Sequence, residues 1–186
     1  MIRLKSYRRP SILNPVCFLL AACLPLTVIA DCRPNVGPAP SRLAHLELSD
    51  QECRTLERMG SPQIFMTLDF STGEVVEQTP RNRKIRVRIR EAAPYFNLMA
   101  AFVTLKPTRE EPGITIYGSD DDATYLLTGS DGEKFYVTAI VETWVAHRTY
   151  KGLDVNYQYS RNIKNFKQMD DAVLKLLNRV FIKTQE

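Results

Sequence analysis

Between Lys84 and Arg90 the chain alternates without a break, with Ile85, Val87 and Ile89 on one side and Lys84, Arg86, Arg88 and Arg90 on the other. Successive side chains of a strand point to opposite faces, so this segment predicts a strand with one buried and one solvated side. The same period runs through Ile64 to Phe70, where Ile64, Met66, Leu68 and Phe70 alternate with Phe65, Thr67 and Asp69. Ser71-Thr72-Gly73 then turns the chain into Glu74 to Gln78, a hairpin partner. Ile114 to Tyr117 and Tyr125 to Thr128 read as short strands, and Gly129-Ser130-Asp131-Gly132 has the chemistry of a tight turn. Beyond that turn Lys134 to Val145 reads as one long strand, with Val137, Ala139, Val141 and Val145 alternating against Thr138, Ile140, Glu142 and Trp144. Lys151-Gly152 turns again into Leu153 to Ser160, whose Leu153, Val155, Tyr157 and Tyr159 share a face. Three consecutive antiparallel strands are therefore expected at the end of the sheet.

Helical spacing appears near both ends of this strand-rich region. Ser49 with Glu52 three residues later forms a capping-box pattern, Cys53, Leu56 and Met59 share a face, and Gly60 is a suitable stop, so a short helix is predicted over Asp50 to Met59. A second helix is predicted from Gln168 to Ile182, with Met169, Val173, Leu176, Leu177 and Val180 as its apolar stripe. The stretch Ala92 to Leu105 admits two readings. Pro94 suits the first turn of a helix through Ala101, while Asn97 to Leu105 also reads as a buried strand. The class expected is α+β: an antiparallel β-sheet packed by a C-terminal helix, with a short N-terminal helix.

The first thirty residues follow neither pattern. Arg3, Lys5, Arg8 and Arg9 make a cationic start without an acid, and an apolar run from Ile12 to Ile29 ends at Ala30. This layout predicts a secretory signal over 1–30, an extended Pro-rich segment over 31–48 and one α+β domain over 49–186. Val28-Ile29-Ala30 fits cleavage before Asp31. Leu20-Ala21-Ala22-Cys23 resembles the lipobox of bacterial lipoproteins and makes Cys23 a competing lipidation site, although the residues after it stay apolar where lipoproteins turn polar. Arg8-Arg9 only weakly resembles a twin-arginine signal, because Pro10-Ser11 follows. The location expected is periplasmic or secreted, with a lipid-anchored envelope protein as the alternative.

Charge now changes meaning. The chain has 25 Lys+Arg and 21 Asp+Glu, net +4. The four N-terminal cations account for all of that excess, so the domain to be exported is formally neutral. Charge is nevertheless uneven: Arg81, Arg83, Lys84, Arg86, Arg88 and Arg90 lie within ten residues without an acid, and Asp120-Asp121-Asp122 are consecutive. The basic run reads either as a solvated outer face or edge strand, or as a partner-binding patch. The acidic run lacks the frame of a calcium loop and reads as a loop facing a basic partner. Neutrality, export and the lack of a nucleic-acid-binding motif argue against nucleic acid.

Cysteine usage agrees with export. Cys17 and Cys23 fall in the leader, which leaves Cys32 and Cys53 as a natural disulfide pair closing a loop of about 20 residues. Their spacing suits neither a zinc site nor a C-x-x-C redox couple. Catalytic side chains are sparse. His45 lies in the loose N-terminal segment, His147 reads as a strand-end surface residue, and Ser130 between two glycines is a hairpin tip rather than a nucleophile. No catalytic, phosphate-binding or dinucleotide motif is present, and no cofactor or metal is expected. Two function classes remain. The favoured one is a non-enzymatic envelope protein that binds a protein partner, such as a periplasmic inhibitor or toxin-immunity protein, or an accessory lipoprotein. In it Lys84, Arg86, Arg88, Arg90, Asp120, Asp121 and Asp122 are the candidate contact residues, and the membrane is a partner only if Cys23 is lipidated. The general organisation resembles small periplasmic inhibitors of secreted toxins. The alternative is a small hydrolase working through carboxylates such as Glu142 and Asp154.

Overall fold

In the computed structural model the alternating segment becomes strand β5 (Lys84–Glu91), set inside an antiparallel sheet of nine strands. The structure describes residues 30–32, 43, 46–56, 63–119 and 121–181. Before β5 come the short strands β1 (Ala30–Cys32) and β2 (Leu46–Leu48), which pair with each other, helix α1 (Asp50–Thr55), β3 (Gln63–Asp69) and β4 (Glu74–Val76). After it follow a single 3-10 turn at Leu98–Phe102 and strands β6 (Arg109–Glu111), β7 (Ile114–Tyr117), β8 (Thr124–Thr128), β9 (Lys134–Ile140), β10 (Thr143–Tyr150) and β11 (Leu153–Ser160). Helix α2 (Phe166–Val180) closes the fold. The strands lie in the order β4-β3-β5-β11-β10-β9-β8-β7-β6. The expected α+β class is what forms.

Register divides the sheet into two faces. Leu68, Ile85, Tyr159, Trp144 and Ala139 are successive cross-strand partners, as are Met66, Val87, Tyr157, Ala146 and Val137. These buried side chains receive the apolar stripe of α2, whose Met169, Val173, Leu176, Leu177 and Val180 are all buried with them. Leu43, Leu46 and Leu48 join the same core. Asn165 caps α2 by accepting from the Gln168 N–H, and Ser49 and Glu52 form the capping box of α1. The first helix ends at Thr55 with extended Leu56 as its C-cap, short of the expected Met59, and residues 57–62 lie outside the described part.

Three expectations need correction. Lys134 to Val145 is not one strand: Val141 and Glu142 form a two-residue turn, Ile140 pairs with Thr143, and β10 runs on to Tyr150. Second, β11 does not end the sheet; it pairs with β10 on one side and β5 on the other. Third, β5 is an interior strand between β3 and β11, not an edge. The outermost strands are three-residue β4 and three-residue β6, the latter Arg-Glu-Glu. The stretch from Ala92 to Leu105 is neither a full helix nor a strand. Asn97 caps the 3-10 turn through the Met99 N–H, and buried Leu98 and Phe102 anchor it.

Candidate functional site

The face of the sheet opposite α2 is the candidate site. On β5 it carries Lys84, Arg86, Arg88 and Arg90, flanked in register by Asp69, Thr67, Phe65 and Gln63 of β3 and by Gln158, Asn156 and Asp154 of β11. Residues following β5 cover only part of this face. Phe102 packs on Tyr117 and Tyr136 with ring centroids 5.0 and 5.3 Å away, and Phe96 lies 5.5 Å from the His147 ring. This strap therefore lies over β7 to β10, while Arg86 and Arg90 on β5 stay exposed and Arg88 is half-buried.

At the margin of the strap, His147 is the residue that the sequence reading misplaced. It is buried within β10, not a surface residue at a strand end. Its Nδ1 meets the Tyr136 hydroxyl at 2.9 Å and its Nε2 meets Asp154, which also accepts from Arg90 Nε and, at 3.1 Å, from Asn156 Nδ2. Burial opposes ionisation of Asp154, but the hydrogen bonds from His147 and Arg90 outweigh it and hold the carboxyl below its ordinary value. The Tyr136 phenol is pushed up by burial and by the neighbouring Asp154 charge. A hydroxyl, an imidazole and a carboxylate in line resemble a nucleophile set. Here the phenol is biased against ionisation and Phe102 packs edge-on against its ring, so the arrangement pins the strap and neighbouring strands.

The α2 side holds a second polar cluster that the pattern did not reveal. Arg148 is 0 % exposed and donates from Nη1 to Asp170 Oδ2 at 2.6 Å and from Nη2 to Asp131. Tyr157 donates to the other Asp170 oxygen at 2.7 Å. Gly129 makes this approach feasible, since a Cβ there would fall 2.8 Å from carboxylate oxygens of both Asp131 and Asp170. Thus the Gly129-Ser130-Asp131-Gly132 turn locks onto α2, and exposed Ser130 at its tip remains a turn residue.

The other nominated residues are scattered. Asp121 and Asp122 are exposed on the β7–β8 connection, Asp120 lies outside the described residues, and four strand spacings of about 4.8 Å put that connection roughly 19 Å across the sheet from β5. The basic and acidic segments therefore do not form one patch. Glu142 sits at the β9–β10 turn, paired with Arg81 at 2.8 Å, whereas Asp154 lies near the far end of the β10–β11 pair. Some six residues of strand separate those levels, roughly 20 Å, too far for the two carboxylates to flank one bond. The paired-carboxylate expectation fails on that geometry. Among the described residues no group of three or more His, Cys, Asp or Glu is placed to hold a metal ion. No helix of the described part is long and apolar enough to cross a membrane. Cys23 and His45 lie outside the described residues.

No family model and no curated protein matches this sequence. A solved structure does: an immunity protein of the Stenotrophomonas maltophilia type IV secretion system superposes with a TM-score of 0.53 at 10 % identity, covering 73 % of this chain and 88 % of that one. The two chains share a fold.

Proposed function

We propose that this protein is an exported envelope protein that binds and neutralises a toxin, using the exposed part of its sheet around Arg86 and Arg88. The observation that carries the reading is the combination of a fold shared with an immunity protein and an interior strand whose solvated side is wholly cationic. Complementary charge speeds and orients association between proteins, and arginine is enriched where such contacts are strongest. The separation of Glu142 from Asp154 favours binding over hydrolysis. A cleavable leader over 1–30 would place the domain in the periplasm or outside the cell, where the proposed Cys32–Cys53 bridge can form. In support of that bridge, α1 packs against both β1 and β2, bringing the two cysteine-bearing segments together.

The decisive test is protection. Where a neighbouring gene encodes a secreted toxin, cells producing that effector should survive when this protein is coexpressed. Reversing charge with Arg86→Glu and Arg88→Glu should abolish both protection and co-purification while leaving the thermal melt in place. Unchanged recovery of the effector by the folded double variant refutes the assignment of this face.

A further inference from the structure

Arg88 differs from most arginines among the described residues. Arg81, Arg83, Arg90, Arg109, Arg148 and Arg179 are all in ion pairs, and half-buried Arg161 donates to the Val141 carbonyl at 3.0 Å. Arg88 is half-buried, yet its Nε is enclosed without a hydrogen-bond partner among the described residues. Its cross-strand neighbours are Phe65 and Asn156, neither of them anionic. The nearby carboxylate, Asp154, is already engaged by Arg90, His147 and Asn156. A partly desolvated cation left without a counter-charge costs stability, and such a cost is retained where the group serves another purpose.

We infer that Arg88 is a receptor for a carboxylate, and that the partner presents an acidic protein segment whose Asp or Glu side chain completes the guanidinium's ion pair. The inference rests on the binding face proposed above and names its chemistry. A guanidinium meets a carboxylate with two parallel N–H bonds, which an ammonium cannot reproduce. Phe65 in register supplies an apolar wall beside the fork, and exposed Arg86 two residues away adds a second cation on the same face. A flat phosphate-binding surface would gain nothing from one half-buried guanidinium between an aromatic and an amide. The site therefore suits a single protruding carboxylate.

The test is a titration of the full chain with hexaglutamate, followed through arginine side-chain Nε–H resonances. The Arg88 resonance should move most. Arg88→Lys should weaken peptide binding about tenfold, the equivalent of one charge-assisted hydrogen bond, and Arg86→Lys by about twofold or less. Arg88→Met should leave the urea midpoint equal or higher, since it removes an unsatisfied buried donor. An unmoved Arg88 resonance, a Lys variant that binds like the parent, or a lowered midpoint for Arg88→Met overturns the inference. Tighter binding of single-stranded DNA or of phosphatidylglycerol vesicles than of the peptide overturns it too. If the peptide shifts Arg86 but not Arg88, the carboxylate receptor fails while the binding face stands. If the effector is recovered unchanged by the charge-reversed protein, the face itself fails.

Discussion

Replacing Arg148 with Met tests how the helix is held to the sheet. Both Arg148 and Asp170 are wholly buried, while the Asp131 side chain is 32 % exposed. Arg148→Met keeps the length of the side chain but leaves Asp170 with only the Tyr157 hydroxyl. Removing one partner of a buried ion pair costs about 3–5 kcal/mol, because the other charge stays uncompensated. For a domain of this size each kcal/mol shifts Tm by roughly 2–4 °C, so Tm should fall by about 6–20 °C. The loss carries a pH signature. Burial raises the Asp170 carboxyl above its ordinary value, with Asp131 adding to it, and Arg148 is the principal influence opposing that rise. Without Arg148 the carboxyl rises further. An acid whose folded value exceeds its unfolded value binds its proton more tightly when folded, so stability returns as pH falls through the folded value. The deficit of the variant should therefore shrink on going from neutral to mildly acidic pH. Urea titrations at both pH values measure it through Cm at constant m. A loss below about 1 kcal/mol, or a deficit that does not shrink in acid, refutes the account. Asp131→Asn is the control: its carboxylate reaches water, so its loss should stay near 1 kcal/mol or less.

Three further outcomes follow from local geometry. Val141 holds a φ of +52° at a turn tip, 82 % exposed, where a branched side chain costs about 1–2 kcal/mol, so Val141→Gly should raise stability by about 1 kcal/mol; a lowered urea midpoint would contradict this. Burial opposes the charge on Glu52, but hydrogen bonds from Arg179, Val75 and Ser49 prevail and lower its carboxyl from 4.5 to about 2. Its contribution is present above the unfolded value and lost as pH falls through the folded one, so acid unfolding between about pH 4.5 and 2 should be shallower in Glu52→Gln. An unchanged acid limb in circular dichroism would exclude Glu52 as a source. Reducing the proposed Cys32–Cys53 bridge should cost about 3 kcal/mol by the loop-entropy relation, read as a lower Tm with dithiothreitol, and non-reducing peptide mapping should recover the linked pair.

Much of this fold is legible as alternation, and the errors have a common cause. Lys84 to Arg90 and Leu153 to Ser160 declare themselves because each keeps one apolar parity from end to end. In β9 the inward residues are odd-numbered, Phe135, Val137 and Ala139, and in β10 they are even-numbered, Trp144, Ala146 and Tyr150. A two-residue turn flips parity in this way, but Val141 and Val145 prolong the odd series and hide it, and Val-Glu has none of the glycine or asparagine that marks such turns. Losing that turn also misplaced His147, whose parity after the flip puts it on the face of Asp154. Arg148 was illegible for another reason: a charged residue at an inward position is recognised only once Asp131 and Asp170 are seen to converge on it from a turn and a helix. The cationic strand was plain in the sequence. That its neighbours leave Arg88 without a counter-charge depends on register, which sets it between Phe65 and Asn156, 23 and 68 positions away.

The two ends of the sheet bear on how this protein survives at high concentration. A strand margin with free N–H and C=O groups is a template on which another chain can grow. Here one margin is only Glu74–Val76 and the other is Arg109-Glu110-Glu111, charged at every position. Neither offers a long apolar template for an added strand. For the binding face proposed above, this directs recognition away from backbone pairing, which is indifferent to sequence, and toward side chains, where a partner must match residue by residue.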